Sequence, residues 1–352
     1  MRHPARRHTR RPARPRVLAL TSTVTLGAAL LTGCGDQGAA TVGADGKTTV
    51  SVGVSGNVFD LSIRVAEENG YFDQHDIKIK YVTLSASTGT SALQSGSVQV
   101  LNSSPTSYVA ALSKGLPEIS VATNGGGNPL GVVVSSAFAK KHGLTADTPA
   151  DQVAKALADS TAGASSANTK AEAGIFLKAH GVDPDKLKWV SLPNPAADKA
   201  ALAKSEVDWF ITSEPIPLQV QHEGDGVVVA DPLKVPQWSY DDAGYGQAVV
   251  VQKSFAKANE ATVKGFATAV QQATAYLATH KPTDKAVLAA ARKTLPGVPD
   301  PVLSASVAQV DWPSSAEQDE AGWKKTVAFV KDIGAVDDPE VTTDDWTNTY
   351  LP

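Results

Sequence analysis

Residues 48–115 read TTVSVGVSGNVFDLSIRVAEENGYFDQHDIKIKYVTLSASTGTSALQSGSVQVLNSSPTSYVAALSKG, in which β-branched runs alternate with stretches of helical periodicity. The β-branched runs predict the strands Thr48–Val54, Ile77–Leu84 and Val98–Leu101. The helical stretches predict the helices Asp60–Asn69, Thr90–Gln94 and Pro105–Lys114. A glycine follows each helix closely, and glycine ends helices because it adopts the left-handed conformation freely.

The same alternation continues through residue 280, and we expect the remaining residues to be helical with Pro-rich joints. The further predicted strands are Ile119–Thr123, Gly131–Ser135, Thr161–Ala164, Leu187–Ser191, Val207–Ile211, Gly226–Ala230 and Gln247–Val251. The further predicted helices are Pro149–Leu157, Thr169–His180 with Asn168 as N-cap, Ala196–Lys204, Pro215–His222 and Ser254–His280. This order predicts an α/β protein with mainly parallel strands.

Several short motifs follow one another in a definite order along the chain. They are Ala66-Glu67-Glu68-Asn69-Gly70-Tyr71-Phe72, Ala92-Leu93-Gln94-Ser95-Gly96-Ser97-Val98, Tyr108–Gly115, Ala201–Asp208 and Glu214-Pro215. In order and spacing the chain resembles the substrate-binding proteins of ABC importers for nitrate, taurine, other sulfonates and pyrimidine thiamin precursors. Ser205 departs from the family pattern, where Gly is usual, and so does Val100, where Asp is usual.

The resemblance implies the type II periplasmic-binding-protein fold, in which two α/β lobes are joined by two crossovers and a ligand lies between them. Lobe I would comprise residues 48–130 and 232–352, and lobe II residues 131–231. Asn124–Asn128 and Ala230–Pro232 are the candidate hinges. The implied function is capture of a small organic solute for an ABC permease and its ATPase, without catalysis. An enzyme of the pyrimidine-synthesis type on the same scaffold, or a ligand sensor without transport, are the alternatives.

Polar side chains follow nearly every predicted strand, where α/β proteins bind ligands. The candidate ligand-binding residues are Ser55, Asn57, Ser85, Ser87, Thr88, Ser103, Ser104, Asn124, Ser166, Asn168, Thr169, Asn194, Glu214 and Tyr245. Ser, Thr and Asn at these positions also serve as helix caps, so each has a structural alternative. Trp238 and Tyr240 could stack on a flat ligand, and Arg64 is expected to pair with Asp60 on one helix face.

The charge distribution limits the ligand. The chain has 32 Lys+Arg and 36 Asp+Glu, and seven arginines lie in residues 1–33. Without them the net charge is −11, and Arg64 and Arg292 are the remaining arginines. Nucleic acid is therefore not an expected partner. Arginine is the side chain that recognises anionic groups through two hydrogen bonds, and its scarcity here disfavours a dianion as the ligand. A monoanion bound at helix ends and a neutral or cationic ring near Glu214 both stay open.

The first 33 residues predict a lipoprotein signal peptide. A basic segment, Met1–Arg16, precedes the apolar run Val17–Thr32, which is too short to span a bilayer. Leu31-Thr32-Gly33-Cys34 resembles the bacterial lipobox, so Cys34 is the expected lipidation site; an ordinary signal peptide is the alternative. Residues 34–47 would then form a flexible tether, and the protein would lie on the extracytoplasmic face of the cytoplasmic membrane. The export route, general or twin-arginine, stays open.

Motifs for metal or cofactor chemistry are missing from the sequence. Cys34 is the single cysteine, and no two of the five histidines after residue 34 lie within four residues of each other. The sequence has no nucleophile elbow, P-loop or dinucleotide-binding motif. We therefore expect no cofactor, no metal and no catalytic residues, and we expect a monomer.

Overall fold

The computed structural model describes residues 41–84 and 86–352. The predicted signal peptide, Cys34 and Ser85 lie outside the described residues, as does the side chain of Ser87. The strands are β1 (Thr41–Val42), β2 (Thr48–Val54), β3 (Ile77–Thr83), β4 (Val100–Ser103), β5 (Glu118–Gly126), β6 (Leu130–Ser135), β7 (Thr161–Ala164), β8 (Lys188–Ser191), β9 (Trp209–Ser213), β10 (Gly226–Ala230) and β11 (Tyr245–Gln252).

Helices connect these strands and continue after the last of them. They are α1 (Leu61–Glu68), α2 (Ala86–Gln94), α3 (Pro105–Leu112), α4 (Ser136–His142), α5 (Ala150–Leu157), α6 (Ala167–Ala179), α7 (Pro195–Ala203), α8 (Ile216–Glu223), α9 (Tyr240–Ala243), α10 (Lys253–Ala258), α11 (Glu260–Thr279), α12 (Lys285–Thr294), α13 (Asp300–Ala308) and α14 (Glu320–Asp332). In the part of the chain that the structure describes, no helix combines the length and apolar character needed to cross a membrane.

The first sheet has the strand order β3-β2-β4-β11-β5, with the short β1 also paired to β2. β2 is parallel to β3 and β4, whereas β11 is antiparallel to both β4 and β5. α1, α11 and α12 pack on one face of this sheet, and Phe72 of the turn after α1 contacts Phe266 at 5.0 Å between ring centroids. Gly70 takes a φ of 70° there, as expected for a glycine that ends a helix.

The second sheet has the strand order β10-β6-β9-β7-β8 and draws all its strands from residues 130–230. β7 is parallel to β8 and β9, and β6 is antiparallel to β9 and β10. Trp209 and Phe210 on β9 are fully buried, one on each face of the sheet. The lobe boundaries at residues 131 and 231 remain a prediction.

The prediction of mainly parallel strands is wrong. β6 and β11 both begin where the chain passes from one sheet to the other, so each enters its new sheet at the edge where the parallel strands end. Leu130 of β6 therefore pairs with Ser213 at the end of β9, and Ala248 of β11 pairs with Ser103 at the end of β4. Periodicity cannot reveal this reversal, because it depends on the position of the crossovers.

Other predicted boundaries also differ from the structure. The helix expected over residues 254–280 is interrupted at Asn259, whose backbone is not helical (φ −129°, ψ 43°) and whose side-chain amide donates to the carbonyl of Phe255. Thr41–Lys47, expected to be the end of a tether, form β1 and a turn instead. The predicted short helix Thr90–Gln94 begins at Ala86.

Candidate functional site

A cavity of about 150 Å³ lies at the carboxyl ends of β2 and β4. It is lined by Val54, Ser55, Asn57, Leu84, Gly89, Thr90, Leu101, Asn102, Ser103, Ser104, Ser107 and Gln247. β2 and β4 are parallel neighbours, so the loops that follow them meet at one edge of the sheet. The structure thus brings together Ser55, Asn57, Ser103 and Ser104, as predicted from the strand ends; that they bind a solute stays a prediction. We call these two loops, with Asp60 and Asn124, the first edge.

Asp60 organises the first edge from beneath the cavity. Its carboxylate accepts hydrogen bonds from the backbone N–H groups of Gly56 (2.7 Å) and Asn57 (3.1 Å) and from the side-chain amide of Asn102 (2.7 Å). Burial raises the pKa of Asp60 to about 6, although these hydrogen bonds oppose the shift. The carboxylate therefore fixes the loop that carries Ser55 and Asn57.

The predicted pairing of Arg64 with Asp60 is wrong. Asp60 precedes α1 and faces inward, whereas Arg64 donates to Glu67 one turn later on the helix. The Arg64 guanidinium also lies 3.8 Å from the centre of the Tyr81 ring. Arg64 is therefore already paired and stacked, and it is absent from the lining of the cavity.

A series of hydrogen-bonded buried amides connects Asp60 to the end of β5, where the chain first passes to the second sheet. Asn102 donates to Asp60 and accepts from Asn124 (3.0 Å), and Asn124 also donates to the hydroxyl of Ser62 (2.8 Å). Asn124 is fully buried, so it lies behind the cavity and does not line it. It stands directly before Gly125 and Gly126, which lead toward the second sheet.

Five more of the predicted residues follow β7, β8 and β9, and we call this region the second edge; they are Ser166, Asn168, Thr169, Asn194 and Glu214. Ser166, not Asn168, is the N-cap of α6: its hydroxyl accepts from the N–H of Thr169 at 3.0 Å, and the Thr169 hydroxyl lies 3.2 Å from the N–H of Ser166. Ser166 is the N-cap because it occupies the last non-helical position, whereas Asn168 already lies inside the helix. Asn194 caps α7 by accepting from the N–H of Ala197 at 2.9 Å.

Thr88 lies within α2 and is exposed.

Three carboxyl groups are buried at the second edge. Glu172 accepts from the amide of Asn168 at 2.8 Å, and burial raises its pKa to about 8. Glu214 follows β9 and accepts from the N–H of Leu218 (3.2 Å) and the hydroxyl of Ser306 on α13 (3.4 Å); burial raises its pKa to about 8 as well. Glu214 is thus 1% exposed and does not line the cavity described above.

Asp198, one turn into α7, is the third buried carboxyl group and was not predicted as a site residue. It is fully buried, and burial raises its pKa to about 6 against the opposing effect of the nearby Ser165 hydroxyl. Neither of its oxygens has a hydrogen-bond partner of good geometry among the described residues. An Asp in the first turns of a helix is ordinary in sequence, so only its burial distinguishes it.

Aromatic residues near the second crossover line two further cavities. Trp238 is fully buried and packs on Phe176 at 6.0 Å between ring centroids, and it also lines a cavity; its stacking on a ligand stays a prediction. Tyr245 is 5% exposed, and its hydroxyl accepts from the N–H of Asp319 at 2.9 Å. Tyr240 and Tyr245 line a separate cavity of about 270 Å³ beside Gly126. A third cavity, of about 320 Å³, also includes Tyr240.

The walls of these cavities lack basic side chains. Of the described residues that line the three cavities, none is Lys or Arg. Asp241, Asp311 and Glu317 are acidic and lie along the second and third cavities. Among residues 41–84 and 86–352, no group of three or more His, Cys, Asp or Glu is arranged to bind a metal.

Comparison with known families agrees with this architecture. Residues 61–284 match the family described as NMT1/THI5 like. The chain belongs to this family. The match covers more than half of the chain, including the second edge and the loop after β4, and confirms the family suggested by the motifs. A search of curated proteins found no match.

Solved structures show what fold this NMT1/THI5-like chain has. The periplasmic aliphatic sulphonate binding protein SsuA of Escherichia coli is 15% identical, with a TM-score of 0.65 over 86% of this chain and 98% of that one. The periplasmic nitrate-binding protein NrtA of Synechocystis PCC 6803 is 16% identical, with a TM-score of 0.61 over 85% and 84%. DSZB, solved with biphenyl-2-sulfinic acid, is 15% identical, with a TM-score of 0.60 over 86% and 97%. The predicted periplasmic-binding-protein fold is confirmed.

Proposed function

We propose that this protein is the solute-binding component of an ABC importer. It captures a small organic solute, either an anion of the sulfonate, taurine or nitrate kind or a pyrimidine-type ring, and delivers it to a permease. The observation that carries the proposal is the cavity at the first edge, where Ser55, Asn57, Ser103 and Ser104 converge. Cavities with a few convergent polar groups and aliphatic walls are the usual form of small-molecule sites. SsuA and NrtA, which have the same fold, are binding proteins for such solutes.

Capture involves both edges. The solute first contacts the preformed cavity at the first edge, and the second edge, with Ser166, Asn168, Thr169, Asn194 and Glu214, then closes over it. A ligand drives such a closure when it makes contacts with both lobes that the open form lacks. Asn124–Asn128 and Ala230–Pro232 are the proposed hinges, because the chain passes between the two sheets there.

The proposed location is the extracytoplasmic face of the cytoplasmic membrane. Lipidation of Cys34 would anchor the chain there, next to the permease and its ATPase. The support is the lipobox-like Leu31–Cys34 after an apolar run of sixteen residues. Replacing Cys34 with Ala should release the protein from the membrane fraction of the expressing cells while leaving its thermal unfolding unchanged.

A binding role is favoured over catalysis. DSZB shows that this fold also occurs in a protein solved with a sulfinic acid, so fold alone does not decide. Of the described residues that line the three cavities, none is His or Cys, the side chains most used as base or nucleophile. The cavity hydroxyls of Ser104 and Ser107 bond to each other at 3.0 Å. We therefore propose no catalytic residue.

Calorimetric titration of the purified protein with single solutes tests this proposal. Taurine, alkanesulfonates, nitrate, thiamin, pyrimidine precursors and small amines form the panel. Thr90→Val removes a cavity hydroxyl at nearly constant volume and should weaken the solute that binds by about tenfold, roughly the value of one buried hydrogen bond. Thr283→Val, at an exposed position after α11, should leave affinity unchanged. If Thr90→Val and Thr283→Val bind the solute equally well, the solute does not bind in the cavity at the first edge.

A further inference from the structure

The cavity at the first edge has an apolar wall beside its hydroxyl and amide groups. Leu84, which follows β3, and Leu101 on β4 both line it, together with Gly89 on α2. The cavity holds about 150 Å³, and an engineered cavity of about this volume binds benzene. The wall therefore leaves room for an apolar group of about the size of one six-membered ring.

Two glycines determine where the leucines of this wall lie. Gly53 on β2 pairs with Leu101 across the sheet, and a Cβ on Gly53 would lie 2.8 Å from Cδ1 of Leu101 and 2.9 Å from Cδ1 of Leu84. On α2, a Cβ on Gly89 would lie 3.2 Å and 3.4 Å from the two methyl groups of Leu101. A side chain at Gly53 would displace both leucines. A side chain at Gly89 would displace Leu101 or extend into the cavity.

The backbone does not require glycine at position 89. Gly89 lies in the interior of α2 (Ala86–Gln94), and its φ is not positive. Glycine in the interior of a helix is less favourable than alanine, so helix formation does not account for it. Its contact with Leu101 does, because the missing side chain keeps the wall back and the cavity open.

We infer that the solute inserts an apolar group no larger than about one six-membered ring against Leu84 and Leu101, and that Gly89 sets this size limit. The inference rests on the proposed function and narrows its solute classes to organic molecules with a compact apolar part, which excludes nitrate. Such a group is stabilised by the removal of its hydrocarbon surface from water. Ser55 and Ser103, which line the same cavity, are left for the polar part of the solute.

Probe pairs that share a polar group and differ in apolar size test the limit. The purified protein is titrated calorimetrically with butane-1-sulfonate against octane-1-sulfonate, with pyrimidin-4-amine against quinazolin-4-amine, and with nitrate. We expect saturable binding of at least one smaller probe and about tenfold or weaker binding of its larger partner. Saturable binding of nitrate, or of a larger partner as tightly as the smaller one, would overturn the inference while solute binding stands. Binding of no probe would overturn the proposed function and the inference with it.

Gly89→Ala tests the residue that sets the limit. The added methyl should weaken binding of the smaller probe about tenfold, because one methylene changes affinity by this order in an apolar pocket. Gly174→Ala is the matched control: it adds a methyl inside α6, 3.6 Å from Pro184, at a residue that is not among those described as lining the three cavities. It should leave binding unchanged. A thermal unfolding curve of unliganded Gly89→Ala like that of the parent excludes misfolding as the cause.

Leu84→Ala changes the same wall in the opposite direction and decides the matter if Gly89→Ala is destabilised. It widens the cavity, so the difference in affinity between a smaller probe and its larger partner should narrow about tenfold. Unchanged affinity in a stably folded Gly89→Ala would overturn the assignment of the size limit to Gly89. An unchanged difference between the partners in Leu84→Ala would show that the apolar group lies elsewhere and would overturn the inference.

Discussion

At the first edge the buried carboxylate of Asp60 accepts three hydrogen bonds, whereas at the second edge Asp198 accepts none of good geometry from the described residues. Both groups are almost fully buried, and burial raises the pKa of each to about 6. The two groups therefore differ in the hydrogen-bond partners that the chain supplies to them.

The contrast indicates that the two edges have different roles. Donors from the chain itself order the loop of the first edge, so its cavity exists before a solute arrives. The second edge contains three buried carboxyl groups, Glu172, Asp198 and Glu214, whose pKa is raised by burial more than it is lowered by hydrogen bonds. Natural proteins tolerate such a loss of stability where function requires it. The second edge is therefore where we expect mutations to separate stability from binding.

The largest expected effect is a fall in stability with rising pH, caused by Glu172 and Glu214. Burial raises the pKa of each to about 8 from an ordinary value of 4.5, so the folded protein retains two protons that the unfolded chain releases. Their contribution to stability is full below pH 4.5 and is lost as the pH rises to about 8. Each group should lower the free energy of unfolding by about 1.4 kcal/mol per pH unit within that window.

Urea denaturation at pH 5, 6, 7 and 8 measures this slope. Glu172→Gln and Glu214→Gln, which stay neutral throughout, should each flatten it. Glu340→Gln, at an exposed position, is the control and should keep the parent slope. Two parallel curves for parent and Glu214→Gln would show that Glu214 ionises in the folded protein as it does in the unfolded chain.

Removing Asp60 should have the next largest effect. Asp60→Ala leaves the N–H groups of Gly56 and Asn57 and the amide of Asn102 without an acceptor in a buried region. The expected loss is about 3 kcal/mol in the free energy of unfolding. Asp60→Asn retains one acceptor oxygen and should lose less. If both variants unfold at the parent urea concentration, the first edge does not depend on Asp60.

The sequence predicts the first edge well because its signals are local. Glycines after helices and polar residues after β-branched runs lie within a few residues of the features they determine. Ser55, Asn57, Ser103 and Ser104 follow β2 and β4 as the strand pattern predicts, and they line one cavity; that they bind a solute stays a prediction. The motifs also indicated the family, because order and spacing are properties of the sequence itself.

The second edge was harder to predict because its decisive property is burial. Asp198 and Glu172 resemble ordinary solvent-facing helix residues in sequence, and only packing of α6 and α7 against the sheet buries them. Asn168 and Ser166 are both acceptable caps, and the choice depends on where the helix begins, which sequence fixes to within a few residues. Burial of Trp238 depends on contact with Phe176, a residue distant in sequence.

Asp198→Asn should raise stability in the absence of a solute. The parent carries a buried charge at pH 7 that the Ser165 hydroxyl compensates only in part, since the pKa of Asp198 is raised to about 6 from an ordinary 3.8. The neutral amide removes that cost, and we expect a gain of about 2 kcal/mol at pH 7. The gain should vanish near pH 4, where the parent carboxyl is also neutral. Urea denaturation at both pH values measures it, and a loss of stability at pH 7 would show that Asp198 has a partner in the native protein.

The smallest expected effect comes from the helix caps of the second edge. It tests whether these caps only stabilise the fold or also contact the solute. Ser166→Ala removes the acceptor for the N–H of Thr169 and should cost about 1 kcal/mol in the free energy of unfolding, whereas Asn168→Ala should cost less because Asn168 does not cap the helix. Solute affinity should change in the opposite order. The side-chain oxygen of Asn168 has no donor among the described residues, whereas the Ser166 hydroxyl already bonds within its own helix. Calorimetric titration of both variants with the solute that binds the parent compares them. If Ser166→Ala loses more affinity than Asn168→Ala, the caps themselves contact the solute, and the second edge, like the first, is built before binding.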